Sequence, residues 1–183
     1  MMGGQAVAEI LYGKVNPSAK LSMTIPRTAG QVQMYYNHKP SHYRYKLQDI
    51  PNEPLYPFGF GLSYTTYEYS DLQLSKSEIA PNENIEVSVT IKNTGAREGV
   101  EIAQLYIRDC ISFVTRPVKE LKGFERVALK AGESKRITFT LTPEHLRYYN
   151  LEMERVVEPG TFKVMVGGSS RDKDLLTAEF EVK

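Results

Sequence analysis

The chain is predicted to be mainly β: an immunoglobulin-like antiparallel β-sandwich preceded by a short helix and strand remnant and an extended linker. Three observations predict this. Beyond residue 65 apolar and polar residues alternate with period two, strand-like runs follow one another at sandwich spacing, and Asn, Gly and Pro clusters separate them.

The N-terminal elements come first. Ala6, Val7, Ile10 and Leu11 recur at helical spacing, and Gly13 stands where a left-handed C-cap would end a helix over residues 4–12. Asn16-Pro17-Ser18 forms a turn, and residues 21–25 read as a short strand stopped by Pro26. Helix, turn and strand in that order suit the tail of a layered α/β domain. A helix of about ten residues is marginal alone because nucleation is costly, so residues 1–26 are expected to need a partner surface.

Residues 27–64 hold no sustained period and read as an extended linker. Its end, Pro54-Leu55-Tyr56-Pro57-Phe58-Gly59-Phe60-Gly61-Leu62-Ser63-Tyr64, is too rich in Pro, Gly and aromatics for either periodic element. Glycines permit unusual backbone angles, prolines fix φ and remove donors, and the rings Tyr56, Phe58, Phe60 and Tyr64 offer apolar faces. Such a segment is expected to lie buried between domains.

Residues 65–183 carry the sandwich. Strands are predicted over 67–74, 85–92, 102–107, 119–129, 136–141, 161–166 and 178–182, with a short excursion from Pro143. Ile85, Val87, Val89 and Ile91 point one way while Glu86, Ser88, Thr90 and Lys92 point the other. Asn93-Thr94-Gly95, Ala131-Gly132-Glu133 and Pro159-Gly160 supply the turns. About seven strands satisfy a fibronectin-type or immunoglobulin-like sandwich.

Composition bounds the function. The 183 residues are 41% hydrophobic and 25% charged, enough for one domain and part of another. With 23 Lys and Arg against 22 Asp and Glu, the charge is +1 and mixed, which argues against nucleic acid or an anionic membrane as partner. No apolar run approaches the ~20 residues of a membrane span, and Met1-Met2-Gly3-Gly4 lacks the charged start and apolar centre of a secretory signal. The single Cys110, in an apolar strand pattern, reads as a small core or half-buried residue.

Specific residues then become familiar. Ala8-Glu9-Ile10-Leu11-Tyr12-Gly13-Lys14-Val15-Asn16-Pro17-Ser18, Pro26-Arg27, Tyr35-Tyr36-Asn37-His38-Lys39-Pro40 and the aromatic connector together resemble the C-terminal portion of glycoside hydrolase family 3 β-glucosidases. Gln104-Leu105-Tyr106, the run from Thr115 to Phe124 and Glu158-Pro159-Gly160 are similar to that family's fibronectin type III-like domain. Where the family commonly has glycine in Pro-Ser-Gly-Lys-Leu, this chain has Ala19.

The resemblance implies a retaining hydrolase whose aspartate nucleophile lies on an N-terminal barrel and whose glutamate acid/base lies on the α/β sandwich domain. Neither motif is in this sequence, so no catalytic residue, cofactor or metal is expected here. Retaining chemistry needs two carboxyl groups about 5–5.5 Å apart on rigid elements. The implied partners are the catalytic domains of the parent glycosidase, and a homodimer partner is a further possibility. In some family members the tract near residues 40–51 brings aromatic and basic side chains to the active-site rim; on that basis Tyr36, His38 and Arg44 are the candidate substrate-binding residues.

Other candidates carry blander readings. Glu9 is expected on a solvated helix face. His38 and His42 are four apart, a zinc spacing on a helix, but Pro40 stands between them. Arg116, Lys119, Glu120 and Lys122 alternate with Val118, Leu121 and Phe124 as a solvated strand face would. Tyr148 and Tyr149 could stack on sugar rings, or one could enter the core. A free carbohydrate-binding module and a dimerisation or interaction domain are the alternative functions; the first would need a planar row of exposed aromatics, the second an uncovered apolar patch.

Overall fold

The computed structural model describes residues 3–31, 33–40 and 50–183. Helix α1 spans Gly3–Leu11, followed by strands β1 (Tyr67–Leu74), β2 (Glu78–Ile79), β3 (Ile85–Asn93), β4 (Gly99–Asp109), β5 (Glu120–Leu129) and β6 (Ser134–Leu141). Helix α2 (Pro143–Leu146), the hairpin β7 (Tyr148–Tyr149) and β8 (Arg155–Val156), then β9 (Gly160–Gly167) and β10 (Leu176–Val182) complete the order.

The seven long strands and the two-residue β2 form two facing sheets, one ordered β1-β3-β6 and the other β2-β10-β9-β4-β5. Their pairings are antiparallel, apart from the two-residue parallel match of β2 with β10. Ile85, Val87, Val89 and Ile91 are completely buried, as their alternation requires, against Leu105, Ile107, Val164 and Val166 of the opposite sheet. Phe162 and Phe180 face one another across β9 and β10 and stack at 5.5 Å.

Helix α1 ends as predicted: Gly13 has φ +72° and donates its N–H to the Ile10 carbonyl at 2.9 Å. Residues 21–25 differ from the expected strand, since only Ile25 forms a β-bridge, to Tyr56. The reason is what they pair with. Leu21 exchanges backbone hydrogen bonds with Gly59 and Phe60, and Ile25 with Leu55 and Tyr56, so the segment runs beside the irregular connector rather than a sheet edge. Cys110 is half-buried just past the end of β4, rather than central in a strand.

The connector is fixed at Gly59. Its φ is +76°, and a Cβ there would fall 2.0 Å from Gln104 Oε1. Gln104 Nε2 donates to the Gly59 carbonyl at 3.2 Å and to the Gly168 carbonyl at 2.8 Å, while Tyr106 Oη donates to Gln104 Oε1 at 2.5 Å. Gly59→Ala combines a left-handed backbone penalty with a displaced buried amide, and is expected to cost about 2–4 kcal/mol. Thermal melting with limited proteolysis across residues 50–64 checks this; an unchanged melt and unchanged cleavage would contradict it.

The N-terminal arm lies against the sandwich through polar groups. Asn16 accepts from Ser63 Oγ and the Tyr64 N–H and donates to the Glu98 carbonyl, all at 2.8–2.9 Å. Arg97 donates to the Gly13 carbonyl and Tyr64 Oη to the Ile10 carbonyl.

Candidate functional site

A groove of about 960 Å³ runs between the linker and the outer face of the β4–β9 pair. Its floor is the strand face opposite the core, where Arg108 and Lys163 are register partners and Met165 follows. One wall is Met34 to Tyr36 with His38; the other is the loop from Ser170 to Lys173. The connector, from Asn52 to Leu55 with Pro57, closes one end.

Two of the three candidate substrate-binding residues line this groove. Tyr36 stacks on Phe58 at 4.3 Å, meets Tyr106 edge-on at 5.7 Å, and accepts a hydrogen bond from the Leu121 N–H at 3.4 Å. These contacts anchor the linker on the sandwich. His38 Nδ1 donates to the Lys39 carbonyl at 2.8 Å, and the His38 carbonyl accepts from the Val118 N–H at 2.9 Å. Arg44 and His42 lie outside the described residues. Among the described residues no three His, Cys, Asp or Glu side chains gather as a metal site.

Among the described residues Glu53 and Asp172 are the acids lining the groove, and both are exposed. Asp172 is ion-paired with Lys119 Nζ, which also donates to the Ser170 carbonyl at 2.8 Å. A general acid needs a carboxyl shielded from water, and a nucleophile needs rigid placement beside it. Exposed acids, one already held by a lysine, do not form that pair.

Lys119 corrects the reading of a solvated face, because it is only 5% exposed. Its partners sit 51 and 53 residues away, beyond any local pattern. Phe124 is a second correction: it is exposed, because Gly123 takes the inward position against Phe139 and Leu105. A register shift in the β4–β5 pairing lies beside it. Arg116 and Lys122 share Glu120 at 2.6 and 3.0 Å, and all three are half-buried rather than solvated.

Tyr148 is buried under the Arg116 guanidinium, 4.7 Å from its ring centroid, whereas Tyr149 is exposed beside Arg155. Near Tyr148, the buried Asp109 Oδ2 has no hydrogen-bond partner among the described residues. Burial pushes the Asp109 carboxyl up to about 6, with Glu158 and Glu120 adding to the rise and Arg116 and the Ile111 N–H opposing it. A raised folded-state value means ionisation costs the native state more than the unfolded one. The associated stability is present below about pH 4 and is lost as pH rises through 6. Asp109→Asn should therefore raise stability at pH 8 by about 1–2 kcal/mol, with the gain shrinking towards pH 4. Melting curves of both proteins across that range check it, and a gain that grows on acidification would contradict it.

Two known domain families match parts of the chain. The glycosyl hydrolase family 3 C-terminal domain matches residues 1–64, and the fibronectin type III-like domain matches residues 101–170. A protein of Formosa agariphila described as a putative β-xylosidase is 48% identical over 170 residues, covering 93% of this chain and 22% of that protein. The periplasmic β-glucosidase of Salmonella typhimurium is 43% identical, with 92% and 23% covered. The crystal structure of a Listeria innocua β-glucosidase with glucose superposes with a TM-score of 0.88 at 45% identity, covering 98% of this chain and 26% of that one. The chain spans about a quarter of the length of these relatives.

Proposed function

Since this chain belongs to glycoside hydrolase family 3 and matches the family's C-terminal region, we propose that it acts as the non-catalytic C-terminal part of a retaining β-glucosidase. Hydrolysis of terminal β-D-glucosyl residues belongs to the whole enzyme; the chain supports the catalytic domains and is inactive alone. In this reading residues 1–26 finish the α/β sandwich domain, residues 27–64 are the linker, and residues 65–183 are the buttressing fibronectin type III-like domain. Tyr36, His38 and Arg44 approach the active-site rim, Tyr36 acting chiefly by holding the linker in place.

The observation that carries the proposal is the one-sided arm. Helix α1 buries none of its side chains, and Val7, Leu11 and Tyr12 are 57%, 74% and 90% exposed. Met23 of the arm and Leu62 of the connector are exposed as well. The polar groups of the arm meanwhile hold it to the sandwich. A short amphipathic helix stripped of cover on its apolar side needs the rest of a layered domain against it.

The test is a domain replacement. The C-terminal quarter of the Salmonella typhimurium β-glucosidase is exchanged for this chain, and hydrolysis of an aryl β-glucoside is measured beside the truncated and intact enzymes. Recovery of activity by the chimera, with Val7→Asp and Leu11→Asp lowering its melting temperature, is the expected result. A chimera no more active than the truncated enzyme would contradict the proposal.

A further inference from the structure

We propose that the groove between the linker and the β4–β9 face binds a carboxylated oligosaccharide, one bearing a uronic acid. The inference rests on the glycosidase reading for the sugar and on the groove's own charges for the carboxylate. Antiparallel register sets Arg108 directly opposite Lys163, and like charges so placed repel. Among the described residues neither forms an ion pair. Glu179 faces Lys163 from the other side in register, and among the described residues the two form no ion pair. A repulsive pair on the floor of a groove is the arrangement an anion would stabilise.

Further cations converge from separate segments. Arg27, from the end of the arm, donates through Nε to the Glu53 carbonyl at 3.0 Å, which fixes the guanidinium. Arg171 is placed 5.5 Å over the Phe60 ring with Nη1 3.8 Å from Asp174 Oδ2, and Lys173 follows on the same loop. Against these stand Glu179 beside Lys163, and Glu53 and Asp172, the last held by Lys119. The balance is local, because the whole chain carries only +1.

The ligand's remaining chemistry follows from the wall. Tyr35 is 58% exposed at the groove, giving an aromatic ring of the kind that packs on the apolar face of a pyranose. Guanidinium groups suit the planar geometry of a carboxylate better than a spherical charge. The volume lies at the upper end of the range for small-ligand sites, about 300–1,000 Å³.

Calorimetric titration of this chain with a glucuronic-acid-substituted xylo-oligosaccharide tests the proposal, with the unsubstituted oligosaccharide and inorganic phosphate as comparators. Saturable binding of the acidic sugar is expected, at least about tenfold tighter than either comparator and weakened by salt. The double variant Arg108→Ala, Lys163→Ala should weaken it about tenfold or more, while Arg126→Ala on β5 should not. Because the double variant removes a repulsion, its melting temperature should stay level or rise, separating lost binding from lost folding. Equal binding of the neutral sugar, equal binding of phosphate, or no effect of the double variant would overturn the proposal. Hydrolysis by the chimera is independent of all these outcomes, so this inference can fail while the functional reading stands.

Discussion

Asn93→Ala is expected to lower stability by about 3–5 kcal/mol, or roughly 10 °C in melting temperature for a chain of this size. Asn93 is completely buried at the end of β3. Its Oδ1 accepts from Thr65 Oγ1 at 2.5 Å and from the Gly95 N–H at 3.1 Å. Its Nδ2 donates to the Arg97 carbonyl at 2.7 Å and the Leu129 carbonyl at 3.2 Å. One amide thus satisfies the entrance to β1, the turn after β3 and the end of β5. Truncation leaves four polar groups without it, two of them in fully buried bonds, and an unpaired buried group costs more than a hydrogen bond gains. Urea unfolding with unchanged m-value measures the loss; a change below about 1 kcal/mol would show that water replaces the amide.

Lys20→Met is expected to be as damaging, for an electrostatic reason. Lys20 Nζ lies 3.0 Å from Glu101 Oε2, and Glu101, 4% exposed, also accepts from Tyr69 Oη at 2.9 Å. Burial and the adjacent carboxylate hold the Tyr69 phenol well above its ordinary value, so it remains a donor. Removing the ammonium strands a buried carboxylate, which typically costs about 3–5 kcal/mol. Adding Glu101→Gln to Lys20→Met should recover most of that loss, because the stranded charge is gone. Additive losses in the double variant would mean the two side chains act independently. The pair also joins the N-terminal arm to β4, so Lys20→Met should increase proteolysis of the arm.

The sandwich was legible because its strands obey a rule that acts locally. Alternation alone locates β1, β3, β4, β5, β6, β9 and β10 within a few residues, since each has one face in the core. The strand expected at residues 21–25 is not formed, because pattern reports burial and not which backbone lies alongside. Lys119 and Phe124 were misread for related reasons: one is buried by bonds to residues 51 and 53 positions later, and the other is turned outward by a glycine occupying the inward place.

The groove was less legible than the fold. Tyr36 and His38 lie on one wall, but Arg108 and Lys163 gave no local signal, being single charges on strands read for their apolar faces. Only the register of β4 against β9 brings them opposite. Tyr35, one residue before the candidate Tyr36, is the exposed ring of the pair.

Turnover by the purified chain alone tests the central claim most directly. With aryl β-glucoside and aryl β-xyloside as substrates, the account predicts no hydrolysis above a blank, because the groove's acids Glu53 and Asp172 are exposed and unpaired with each other. Hydrolysis that persists through purification and falls on Glu53→Gln or Asp172→Asn would contradict it and place a reaction centre in this groove.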